Sequence, residues 1–172
     1  MRILCCFILL ALANLASAKV TQVGEGVVRW GVFKLYHATF FTEAQVSLRQ
    51  ALADDKPARL ELCYVREFSV ENFIDGAQLG LPASLTPQLQ AAVTRLHQAY
   101  QAVQPGDCYR LDYQPGQGTA LLLNDKELVR VATAGFKALY FGIWLGDKPL
   151  SAQLKRDLTQ GLAAEQVKAS PN

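Results

Sequence analysis

The chain has little of what most catalytic sites are built from. Its 172 residues include only two histidines, so a histidine triad or a histidine-ligated metal would have to be assembled almost without its usual residue. No G-x-S-x-G elbow, P-loop, H-E-x-x-H or C-x-x-C occurs, and the "GEG" at 24–26 is too short for a dinucleotide loop. His97, between apolar turns of a helical stretch, reads as a solvent-facing or boundary residue. His37 reads as a satisfied histidine in or beside the core. Charge is also sparse: 17 Lys+Arg against 15 Asp+Glu gives a net +2, and that bulk balance points to neither nucleic acid nor an anionic membrane surface. There are no internal repeats or low-complexity tracts, and no cofactor is implied.

What is present begins with "MRILCCFILLALANLASA". Arg2 supplies a positive start, residues 3–15 an apolar run, and Ala16-Ser17-Ala18 a small-residue cleavage site, the layout of a secretory signal over residues 1–18. The apolar run is shorter than the roughly 20 residues that a membrane-spanning helix needs, so no stable membrane anchor is expected after cleavage. Residues 19–172 are then one domain, and the expected location is periplasmic or secreted. Of four cysteines, Cys63 and Cys108 lie beyond the signal. They are too few for a disulfide framework or a structural zinc site, but export makes one bridge chemically open to them.

Periodicity organises the remainder. Residues 24–41, "GEGVVRWGVFKLYHATFF", are rich in β-branched and aromatic residues and read as one long or two short strands, with Gly31 a candidate bulge. A loop with a short helix follows around Val46–Leu52. Residues 60–70, "LELCYVREFSV", alternate as a half-buried strand. Ser69, three residues before Asn72, opens a short helix that gives way at Gly80 and Pro82. Thr86 and Pro87 start a longer helix through Leu89, Val93, Leu96, Tyr100 and Val103. Three meander strands are expected at 108–113, 118–123 and 127–131. An apolar helix closes at Gly146, and a last one begins at Ser151. Runs of strands with inserted helices, lacking strict alternation, specify an α+β domain whose helices cover one face of an antiparallel sheet.

The parity of "LELCYVREFSV" sets Arg66 among Leu60, Leu62, Tyr64, Phe68 and Val70. A buried guanidinium without a partner is too costly to be incidental. Arg29 and Tyr36 also stand among apolar neighbours on the early strands. One reading is that a guanidinium and a phenol converge in an apolar cleft and grip an anion. The other is a salt bridge from Arg66 to an internal carboxylate, or a stem packed inward with its head at the sheet edge. Cys63 and Cys108 share the polar parity of their strands, so a bridge between them requires those strands to be neighbours in register.

Four stretches, "GEGVVRWGVFKLYHATFF", "LELCYVREF", "QPGDCYRLDYQPGQGTALLLND" and above all "GFKALYFGIWLGDKPLSAQLKRDLTQGL", resemble the chalcone isomerase-like superfamily in its bacterial exported branch. The resemblance covers Gly24 to about Leu162. It implies an open-faced β-sandwich with a cleft between sheet and helices. The catalytic set of plant chalcone isomerases maps poorly. Its strand threonine matches Tyr36, its arginine falls near Arg29, the tyrosine and asparagine of its middle helix have no equivalents in "NFIDGAQLGLPA", and its late threonine falls near Ile143. A tyrosine at the threonine position beside an arginine is instead similar to the fatty-acid-binding members, where that pair holds the carboxylate.

Three function classes follow. A non-catalytic binding protein for a small apolar anion such as a fatty acid predicts a cleft lined by Arg29, Tyr36, Tyr64, Arg66, Phe68, Phe136 and Tyr140. An isomerase or lyase requires a proton-transfer group with a shifted pKa in that cleft. A protein-interaction domain predicts a filled cleft and an exposed apolar patch elsewhere.

Overall fold

In the computed structural model residues 20–164 are described; the expected signal at 1–18 lies outside them. Six strands, β1 Thr21–Trp30, β2 Phe33–Thr42, β3 Ala58–Tyr64, β4 Cys108–Gln114, β5 Gly118–Leu123 and β6 Lys126–Val131, form one antiparallel sheet in the order of the chain. Five helices, α1 Leu48–Leu52, α2 Val70–Gly80, α3 Pro87–His97, α4 Phe136–Leu145 and α5 Ala152–Leu158, complete the α+β fold. None of these helices is long and apolar enough to cross a membrane.

Alternation explains how the sheet is dressed. In β3, Ala58, Leu60, Leu62 and Tyr64 are buried while Arg59, Glu61 and Cys63 are half-buried on the opposite face. The inner face meets the helices. The outer face carries the polar register mates, including the Arg59–Asp112 ion pair at 2.8 Å. Helix α4 is apolar almost all round, with Phe136, Tyr140, Phe141, Ile143 and Leu145 fully buried, which is the pattern of a helix inside a core rather than on a surface.

The early strands are two ten-residue arms rather than short strands or one long one. Gly31 is not a bulge but the first residue of the two-residue Gly31-Val32 turn, with φ 58°, a geometry that glycine adopts at no steric cost. The bulges lie instead at Gln22/Gly24 and Val28/Arg29. Gly80 lets α2 rest directly on α4, since a Cβ there would lie 2.8 Å from Ile143 Cγ2.

Two boundaries differ from the periodicity. Helix α3 stops at His97, short of Tyr100 and Val103. Strand β3 stops at Tyr64: Val65 N–H still donates to the Leu35 carbonyl in register, but the chain bends at residues 65–66, and Phe68 then forms an isolated bridge with Val103. The parity count therefore does not extend to Arg66, which is exposed. His37 is also exposed, while His97 is half-buried.

Lys137 is the one fully buried cation among the described residues. Its Nζ donates to the carbonyls of Ala53 and Lys56 and lies 4.3 Å from the Tyr113 ring centroid, tying the Asp54–Lys56 loop to α4. Burial lowers its pKa to about 8, against the opposing pull of Asp54, Asp55 and Glu43. The unfolded chain then binds more protons between about pH 8 and the ordinary lysine value near 10.4, so this contribution to stability grows as pH rises through that window. Lys137→Met is expected to destabilise by about 2–3 kcal/mol, the loss of charge-assisted bonds to two carbonyls, and to flatten the rise. Urea denaturation at stepped pH measures both.

Candidate functional site

Between the inner face of the sheet and helices α2, α4 and α5 lies a cavity of about 230 Å³. An engineered apolar cavity of about 150 Å³ accommodates benzene, so this one has room for a small apolar body. Its walls come from Val28, Leu35 and Tyr36 of the first hairpin, Leu62 and Tyr64 of β3, Tyr109 and Leu111 of β4, Phe73 and Ala77 of α2, and Ile143 and Trp144 of α4. No lysine, arginine, histidine, aspartate or glutamate is among the lining residues.

An aromatic cluster centred on Tyr64 forms one wall. Its ring lies 5.4 Å from Tyr36, 5.1 Å from Phe68 and 5.4 Å from Phe73, all tilted or edge-on. These are the arrangements that place the positive edge of one ring on the negative face of another.

The phenols differ in what they bond. Tyr109 is saturated, donating to the Gln101 carbonyl at 2.9 Å and accepting from its N–H at 2.8 Å. Tyr100 and Tyr140 share one hydrogen bond at 2.7 Å. Tyr36 accepts from Trp144 Nε1 at 3.1 Å, which leaves its own proton without an acceptor among the described residues. Tyr64 makes no hydrogen bond among them. Burial raises the pKa of Tyr36, offset in part by the Trp144 bond, and raises those of Tyr64, Tyr100 and Tyr140 as well. The neighbouring phenols push Tyr64 further up. All four stay protonated through neutral pH. They are donors and weak acceptors, not bases.

Of the residues expected in the cleft, the fold brings Tyr36, Tyr64 and Phe68 together on its wall. It does not bring the others. Phe136 and Tyr140 stack on each other in the core, with ring centroids 5.2 Å apart, because α4 presents Ile143 and Trp144 to the cavity instead. Arg29 is exposed near the end of β1, paired across the bulge with Lys34. The Arg66 guanidinium lies over the Phe33 ring at 4.5 Å and its Nε donates to the Lys34 carbonyl at 3.3 Å. It meets neither the cavity nor an internal carboxylate. Parity reasoning missed Trp144, Tyr100 and Tyr109, although Tyr109 was readable from its alternation with Leu111 and Tyr113.

The register requirement for the cysteines is met. Cys63 and Cys108 are direct partners of β3 and β4, and their sulfurs are joined. Their neighbours Tyr64 and Tyr109 face the opposite side, on the cavity wall. No cluster of three or more histidine, cysteine, aspartate or glutamate side chains suited to a metal occurs among the described residues.

The profile of the chalcone isomerase-like family matches residues 12–159. The chain belongs to the chalcone isomerase-like family. The structure of this chalcone isomerase-like protein resembles the crystal structure of a fatty-acid binding protein from Arabidopsis thaliana, with a TM-score of 0.62 and 12% identity. The similarity covers 82% of this chain and 87% of the plant protein, which shows a shared fold. No curated protein matches the sequence. Within the chalcone isomerase-like fold, Tyr36 and Ile143, the two positions that the sequence comparison set against the catalytic threonines, both lie on the cavity wall.

Proposed function

We propose that this chalcone isomerase-like protein is a non-catalytic binding protein for a small apolar molecule that ends in a hydrogen-bond acceptor, of which a fatty acid is the leading case. The observation that carries the reading is an apolar cavity with two phenol protons, those of Tyr36 and Tyr64, that have no acceptor among the described residues. These protons face the cavity, where a ligand carbonyl or carboxyl oxygen can accept from them, a bond worth about 0.5–1.5 kcal/mol each. The absence of a cation on the wall shifts the expected species. A carboxyl group entering here is favoured in its neutral form, since nothing offsets the desolvation of its charge. Fatty-acid binding is accordingly expected to tighten as pH falls toward the ordinary carboxylate range. Phenols with raised pKa and a wall without carboxylate, imidazole or amine also weigh against proton-transfer chemistry. The likeness to a fatty-acid binding protein supports the same reading.

Export to the periplasm or the outside belongs to this proposal. Its support is the layout of residues 1–18 and the pairing of Cys63 with Cys108, which an oxidising compartment would preserve.

The test is mass spectrometry of organic extracts from the natively purified protein, joined to thermal shift with fatty acids of graded length. Tyr36→Phe and Tyr64→Phe are each expected to weaken binding about 2- to 10-fold, the worth of one hydrogen bond. Gly76 lies on the wall and a Cβ there would meet nothing within 4 Å. Gly76→Leu is expected to restrict the cavity and lower binding while leaving the fold intact. No co-purifying molecule and no shift with any acid would sink the reading.

A further inference from the structure

The hairpin that supplies Val28, Leu35 and Tyr36 to the cavity ends in a different kind of surface. Trp30 is 75% exposed, Val32 84%, Phe33 48% and the neighbouring Val65 41%. These side chains sit together around the Gly31-Val32 turn, since Trp30 pairs with Phe33 and Val65 N–H bonds to Leu35. Arg29, Lys34 and Arg66, all exposed, flank them, with the acid Glu67 alongside. A chain of nearly balanced charge thus concentrates cations where four of the six large apolar side chains exposed among the described residues lie together.

We propose that this hairpin tip docks on an anionic lipid surface. Trp30 and Val32 enter the boundary between headgroups and acyl chains, and Arg29, Lys34 and Arg66 meet the lipid phosphates. The indole suits that boundary because its ring is apolar and its N–H is not. The arginine and lysine stems can lie along apolar surface while their heads stay in the polar layer. Shape favours lipid over a protein partner: a two-residue turn is convex and can enter a fluid layer, whereas a protein would have to offer a matching groove. The proposal stands without any occupant in the cavity. If the binding reading also holds, docking brings the Val28 and Leu35 end of the cavity to the surface from which an apolar ligand would be drawn.

Flotation of the purified protein with vesicles of phosphatidylcholine, with and without phosphatidylglycerol, tests it. Binding is expected on the anionic vesicles and should fall as salt rises. Neutralising Arg29, Lys34 or Arg66 to Gln should each weaken it about fivefold, the effect of one cation near such a surface. The double variant Trp30→Ser/Val32→Ser should lose at least tenfold. Its replaced side chains are already in water, and an unchanged circular dichroism spectrum checks that the fold persists. Brominated acyl chains should quench tryptophan emission in the wild type and not in Trp30→Phe, where Trp144, 8% exposed, is the remaining indole. Equal flotation of wild type and the double variant, or no flotation at all, overturns the proposal, and a protein that occupies the tip without any vesicle response does so too. Ligand binding by Tyr64→Phe is read without vesicles, so the two proposals fail separately.

Discussion

Above about pH 10 the protein is expected to unfold over a narrow range, and its tyrosines to ionise with the unfolding rather than before it. In an unfolded chain phenols titrate near 10. In the folded chain burial holds Tyr36, Tyr64, Tyr100 and Tyr140 above that value. A raised folded pKa means stability that is complete below the unfolded value and lost as pH climbs through it toward the folded one. Each such group steepens the loss by at most about 1.4 kcal/mol per pH unit, so four acting together give up to roughly 5–6. Set against a total stability on the order of 5–15 kcal/mol, about one to three pH units suffice. Lys137 acts in the opposite direction, but its gain is exhausted near 10.4, where the unfolded lysine also loses its proton. Absorbance at the phenolate band, followed together with circular dichroism, decides the matter. Gradual ionisation with an intact fold would show that the hydroxyls are wetter than the structure places them.

Reducing the Cys63–Cys108 bridge is expected to cost about 4 kcal/mol, from the chain entropy released by opening a loop of this length; the two residues are 45 apart in sequence. The loss should appear equally in Cys63→Ser/Cys108→Ser and in wild type with reductant, and not add when both are applied. Alkylation before and after reduction, read by mass spectrometry, should leave both residues unmodified until reductant is present. Modification beforehand would refute the bridge. Ligand binding should weaken in parallel, because Tyr64 and Tyr109 follow the bridged residues directly and stand on the cavity wall.

Much of the fold was legible because its signals are local. Ser69 with Asn72 forms the capping box that opens α2, and Thr86 with Pro87 starts α3. Alternation located β4, β5 and β6 to within a residue or two. The site was legible only in part. Parity says which side a residue takes while a strand lasts, but nothing in "LELCYVREFSV" announces that the strand ends at Tyr64. The Val65 bond to Leu35 still keeps the β2 register, but the chain then bends at residues 65–66 and Phe68 pairs with Val103, a contact with a distant segment. Phe68 reached the cavity all the same, by its bridge to Val103, whereas Arg66 went to the surface. Likewise the sequence marks α4 as buried without saying which of its sides meets the cavity. Packing against α2 through Gly80 turns Ile143 and Trp144 toward it and leaves Phe136 and Tyr140 in the core.

The strand order carries a consequence for how the chain reaches this state. Every strand pairs with its neighbour in sequence, so the first hairpin and the last three strands can each assemble early, from short-range encounters. Only the β3–β4 seam must wait for a long segment, with two helices in it, to fold back on itself, and the entropy of that closure makes it the natural slow step. The cysteines lie at that seam. Oxidised early, they would hold its two sides together and turn the slowest search into a local one, so refolding of the bridged chain should outpace that of the reduced chain.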